Sequence, residues 1–275
     1  MQHSIRLRQL GIIARQDLAS SLGSARALLF LVFFGLFWFW ILWKLSDANL
    51  SSLSSFRGLN FIGLFMNPEH ARHLFLDHPV YLSVYFLVAL TTLPFFTMIA
   101  ACDQTASDVS NRYIRFLLPR INRSELYMGR YIGTASLVIL CYTIVTFAAA
   151  IVSGNLETVQ NTGLFAYTIR IWLTLVFYSL AFTSLMAMVS AVSASVAVSL
   201  LLGIGGYFGF LFMLFIVRLQ SKNVSEYISY LLPSGVKPWL TSPDESTIAL
   251  ALLAMLAYAI VFYLLGWWRF IKKDM

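Results

Sequence analysis

Long apolar runs without charge alternate with short polar segments along this chain, and the runs have the length of membrane crossings. The longest, 171–217, holds 47 residues without Asp, Glu, Lys or Arg, whereas one helix crosses the hydrocarbon core with about 20. It must therefore contain two spans and a tight turn. The small, hydroxyl-rich stretch 190–195 (SAVSAS) can satisfy a backbone that leaves its helix there. The pattern predicts spans near 27–45, 81–101, 131–152, 169–189, 196–217 and 247–268. The expected fold is an all-α membrane protein, one transmembrane domain over 1–275 with six helices.

Composition agrees: 59% of residues are hydrophobic and 11% charged, too little polar surface to solvate a globule of this size. Charge then orients the chain, because Lys and Arg resist translocation. With the N-terminus inside, twelve basic residues face the cytoplasm: Arg6, Arg8, Arg15, Arg26, Arg112, Arg115, Arg120, Arg123, Arg130, Arg269, Lys272 and Lys273. Seven lie outside: Lys44, Arg57, Arg72, Arg170, Arg218, Lys222 and Lys237. Both termini are expected in the cytoplasm, and the net charge of +7 reports topology and contact with anionic lipid headgroups rather than nucleic acid. Trp43, Trp267 and Trp268 suit the membrane interfaces. Cys102 and Cys141 have no metal-ligand spacing.

The connecting segments carry further expectations. Residues 3–22 place Leu7, Leu10, Ala14, Leu18 and Leu22 on one face, which predicts an interfacial helix on the inner leaflet. The outer segment 46–80 is longer than a simple connection needs, and a short helix is expected at 59–66. His70, His73 and His78 cluster there beside Glu69 and Asp77, but in neither the HExxH nor the HxxEH order. They read as exposed loop polars, with a metal site only as the weaker alternative. Segment 218–246 is broken by Pro233, Pro238 and Pro243 and reads as a small cap over the outer mouth.

Within the spans, Ser199 and Gly203 continue a four-residue series from Ala187, Ala191 and Ser195, and Gly205 with Gly209 forms GxxxG. Small residues at this spacing let helices approach closely in lipid. Pro94 should soften the second span.

The cytoplasmic loop 102–130, CDQTASDVSNRYIRFLLPRINRSELYMGR, joins five arginines and three acids to the apolar cluster Tyr113, Ile114, Phe116, Leu117 and Leu118. A mere connection needs no hydrophobic patch, so amphipathic helices offering a face to a cytoplasmic partner are expected. This stretch resembles the ABC-2 type permease family, including the permeases of multicopper-enzyme maturation. That family carries an acidic residue and then a run like RGTLxxLLxxPVSRxExLLGKxxG after the second span. Here Asp103 and Asp108 are the acids, and Leu117, Ile121, Arg123, Glu125, Gly129, Arg130 and Gly133 match in order. Arg112 stands where the family usually has glycine, and Pro119 is displaced by one, leaving Arg120 in its place.

The resemblance implies a permease subunit of an exporter in the bacterial inner membrane, forming a homodimer and docking this loop on a separate ATPase subunit. The docking residues would be Asp103, Asp108, Arg112, Arg115, Leu117, Leu118, Pro119, Arg120 and Arg123. The sequence has no GxxxxGK[ST], so this chain should bind no cofactor, with ATP and Mg on the partner. An extracytoplasmic accessory protein is a further candidate partner. The chain is not expected to be an enzyme: no catalytic residue is assigned, and the spans lack histidine and facing ionisable groups. A non-transporting scaffold subunit is the main alternative, an intramembrane enzyme a lesser one. An ion-coupled transporter would need a carboxylate at mid-span, which the pattern lacks.

Overall fold

A computed structural model of the chain describes residues 11, 25–48, 66–106, 122–156, 161–193 and 195–272. Every regular element among them is helical. In chain order these are α1 (Ala25–Asp47), α2 (Pro68–Leu76), α3 (Val80–Ala101), α4 (Arg123–Leu156) and α5 (Asn161–Val192). There follow α6 (Val196–Leu200), a π-helical turn (Leu201–Gly205), α7 (Gly206–Gln220), α8 (Lys222–Ser229), a 3-10 turn (Pro233–Val236), α9 (Lys237–Leu240) and α10 (Glu245–Lys272). Six helices are long and apolar enough to cross a membrane: α1, α3, α4, α5, the continuous α6–α7 unit and α10. The architecture is that of a multi-pass membrane protein. The expected helices at 3–22 and 59–66 fall outside the described residues, except for Gly11 and Met66.

Local chemistry sets the helix ends. Asn67 caps α2 by accepting from the Glu69 N–H at 3.1 Å, with Pro68 in the first turn. Ser195 caps α6 by accepting from the Val198 N–H, so the turn in the long apolar run lies at 193–195, within the predicted stretch. The Asp244 carboxylate accepts from the N–H groups of Ser246 and Thr247 ahead of α10. Helix α4 starts eight residues before the expected span, because Glu125 accepts from both the backbone and the side-chain nitrogen of Asn122 and closes a cap within the predicted loop. Polar residues inside the helices return their hydroxyls to the preceding turn: Thr92 to Val88, Thr143 to Ile139, Thr146 to Tyr142 and Thr183 to Ser179. That satisfies them without water.

Helix α5 is the centre of the bundle, lying along α10, α4 and α3. An aromatic cluster ties α1 to the same core. Trp38 is buried against Tyr85 (5.2 Å) and Phe37 (5.5 Å), and Phe34 meets Phe96 (5.1 Å) and Tyr142 (5.4 Å) edge-on. The Tyr81 hydroxyl also donates to the Leu42 carbonyl of α1. The α6–α7 unit is the least covered span. Its Ser199 and Gly203 are buried, and a Cβ on Gly203 would strike the Met186 thioether of α5. A larger residue there would have to displace the flexible end of Met186. Gly205 and Gly209 face open space instead, so the expected packing series divides between two faces.

Candidate functional site

The loop predicted to dock a partner leaves the bundle through two roots, and both are bonded to other helices. At the first root the chain turns after α3 through Cys102–Ala106. Gln104 Nε2 donates to the Thr183 carbonyl of α5 (3.4 Å). The N–H groups of Thr105 and Ala106 donate to Ser190 Oγ at 3.0 and 3.1 Å, and the Thr105 and Ser190 hydroxyls bond at 2.9 Å. With both acceptor positions of its oxygen filled, the Ser190 hydroxyl donates to Thr105. At the second root, Arg123 Nη1 donates to the Ile271 carbonyl (2.9 Å), one of the carbonyls left without an intrahelical partner at the end of α10.

Between the roots lies a small aromatic cluster. Tyr127 meets Tyr263 (5.3 Å) and Phe270 (5.5 Å), Tyr131 meets Tyr263 (5.0 Å), and the Ser184 hydroxyl donates to Tyr131. Ala187 and Ala191 of α5 pack into it. A Cβ on Gly266 would strike the Tyr127 hydroxyl and the backbone of Met188, so α10 and α5 touch here through glycine. Of the predicted docking residues, Asp103 sits partly buried in the first root and Arg123 forms the second. Asp108, Arg112, Arg115, Leu117, Leu118, Pro119 and Arg120 lie outside the described residues.

At the opposite end, the histidines expected to be exposed are packed instead. Ala71, Leu74 and Phe75 bury one face of α2, and Ser83 Oγ pins it to α3 through the Leu74 carbonyl (2.5 Å) while touching Tyr167. This draws His78 onto Tyr167, the rings stacked at 3.9 Å and 6°. His73 bonds Asp77 (2.9 Å) and His70 bonds Thr241 (3.3 Å). Burial pulls the pKa of His78 down to about 4, assisted by His73 and Arg170 and opposed by Asp77, and burial also lowers that of His70. Among the described residues no three His, Cys, Asp or Glu side chains are grouped to hold a metal ion.

The segment read as a small cap is a deeper structure, a lid. Helix α8 folds back along α7, leaving a cleft of about 480 Å³ lined by Leu211, Leu214, Phe215, Arg218, Ser225 and Glu226. The chain then dips between the spans. The Tyr230 carbonyl accepts from Tyr258, the fourteenth residue of α10. Ser234 lies against Tyr207, in the middle of the α6–α7 unit. Val236 and Leu240 are buried in the main core, and Arg170 of α5 donates to the Ser242 carbonyl (2.9 Å). Lys237 Nζ donates to Thr91 Oγ1 at 2.8 Å. Thr91 is the twelfth of 22 residues in α3, about 16 Å from one end and about 15 Å from the other at 1.5 Å per residue. Sequence reasoning counted Lys237 among the outer charges and missed this depth; its place between Val236 and Pro238-Trp239 in an apolar stretch was the only signal.

A family model described as a protein of unknown function, DUF2705, matches residues 64–275. The chain belongs to this family. No curated protein sequence matches it. The DUF2705 match takes in α2 through α10, hence both loop roots, the histidines and the lid, while α1 lies before it.

Proposed function

We propose that this DUF2705 chain is the permease subunit of an ABC-type exporter in the bacterial inner membrane, with both termini cytoplasmic, working as a homodimer with a separate ATPase subunit. The observation that carries the reading is the grip of the loop on the bundle. Its first root is bonded to Ser190 and Thr183 of α5, and its second to the last turn of α10. A force arriving at the two roots, Cys102–Ala106 and Arg123, would load both helices through hydrogen bonds. Together with the resemblance of 114–133 to the ABC-2 loop, this suits a lever that transmits closure of the ATPase to the spans. ATP and Mg belong to the partner, and the chain itself performs no bond-making chemistry.

The test is co-expression of the full chain with its neighbouring genes, followed by affinity purification of wild type and Arg115→Glu. Arg115 is the cleaner probe, because Arg123 also bonds Ile271 and its reversal would disturb the fold. Loss of the ATPase from Arg115→Glu, with normal membrane insertion, is expected. Unchanged co-purification would contradict the docking role, and absence of any ATPase would favour a scaffold subunit.

A further inference from the structure

The lid holds a charge where the helices offer no counter-charge. An ammonium has three N–H donors, and Lys237 spends one on Thr91. Thr91 gives its own proton to the Leu87 carbonyl at 2.8 Å, so it meets the ammonium with lone pairs only. A hydroxyl satisfies geometry but neutralises nothing. Among the described residues no carboxylate lies within ion-pair distance of Lys237. Thr91 is exposed on the flank of α3, so the pair is reachable from the side of the chain and is not sealed in its core. A half-buried ammonium halfway along a spanning helix, open beside the exposed Thr91, is costly against hydrocarbon. That flank therefore faces water, a ligand or both.

We infer that the Lys237 ammonium, positioned by Thr91 halfway along α3, is a binding site for an oxyanion, carried as the phosphate or carboxylate headgroup of an amphiphile or present as the free ion. A lysine on a flexible stem binds such groups as a point charge with adaptable donors. The flank also brings apolar surface to the site: Leu87, Val88 and Phe95 of α3, each within about one turn of Thr91, are only partly buried. Apolar side chains beside a single cation suit an acidic head on an apolar body. This deepens the exporter reading by naming a substrate chemistry. Its test needs no ATPase, so the two can fail separately.

The full chain, purified in neutral maltoside detergent, is titrated with dodecyl phosphate and followed by tryptophan fluorescence and native mass spectrometry. Lys237→Met should weaken binding about 10-fold or more, and Lys237→Arg should stay within about 3-fold of wild type. Displacement by inorganic phosphate at similar concentration assigns the site to the free ion; failure to displace assigns it to the amphiphile. Equal dodecyl phosphate binding by wild type, Lys237→Met and Lys237→Arg would overturn the inference. A second variant guards against misfolding: Lys237→Cys in proteoliposomes should react with a charged, membrane-impermeant thiosulfonate and be protected by dodecyl phosphate. The native Cys102 and Cys141 are both buried. A folded Lys237→Cys protein that stays unlabelled would show a sealed position and equally overturn it.

Discussion

The two ends of the bundle treat polar groups inside an apolar protein differently. At the loop end, the Thr105 and Ala106 N–H groups and the Arg123 guanidinium are matched to acceptors on α5 and α10, and Gly266 brings those helices together around a Tyr127 hydroxyl that is buried without a hydrogen-bond partner. At the lid end, an ammonium rests on one hydroxyl, and the Nε2 atoms of His73 and His78 are buried without a hydrogen-bond partner. Hydrogen bonds from the roots to neighbouring helices fix a shape, while a charge or a titratable ring with donors or acceptors to spare leaves capacity for something to bind or for protons to change.

The comparison can be broken most severely at Gly266. Gly266→Val would drive a side chain into the backbone of Met188, and overpacking of this kind costs typically about 1–3 kcal/mol. Thermal unfolding in detergent should show a clear loss. Gly203→Ala meets only the flexible end of Met186 and should cost less. A ranking in the other order would mean that the α5–α10 contact is not the tight one.

Ser190→Ala sharpens the reading of the first root. It leaves the N–H groups of Thr105 and Ala106 without their acceptor, a penalty of about 1–3 kcal/mol if they stay buried. Amide exchange should accelerate at those two residues and not in α2. Unchanged exchange would show that the root is not held through Ser190.

The lid end should respond to acid. The folded chain resists protonating His78 until about pH 4, against an ordinary value of 6.5. Between those values the unfolded chain binds the proton more readily, so stability from this site is complete above pH 6.5 and is lost as pH falls toward 4. His73, Asp77, Arg170 and the stacked Tyr167 surround the ring. Unfolding measured at pH 7.5 and pH 5 should show the loss in wild type and a smaller one in His78→Asn. Equal losses would remove His78 from the account. The smallest effect is expected from Gly209→Ala, which meets nothing within 4 Å and should change stability of the single chain by less than about 0.5 kcal/mol. A large drop there would reveal a close contact with a second copy.

Much of the framework is legible because bilayer thickness dictates run length: the six apolar stretches and the turn near Ser193 follow from hydropathy and hydroxyl placement alone. The start of α4 is legible in Asn122 and Glu125, whose cap geometry is local; the sequence pattern predicts amphipathic helices in 102–130 but starts the span itself only at 131. What escaped depends on distant contacts. Arg123 is satisfied by a carbonyl 148 residues away, and His78 is organised by Tyr167 of another helix. Lys237 gains its depth because α8 folds back on α7, a tertiary choice with no periodic signature. The loop 102–130 is legible as a motif; its tip, 107–121, lies outside the described residues, and its roots are bonded to α5 and α10.

The central claim is that this chain is the membrane half of an ATP-driven machine. Its most direct test is the full chain purified with its genetic neighbours and assayed for vanadate-sensitive ATP hydrolysis. The account predicts a stoichiometric partner bearing nucleotide-binding motifs, with hydrolysis altered when the permease is present. A stable chain that recruits no ATPase, and whose presence leaves hydrolysis unchanged, would contradict it.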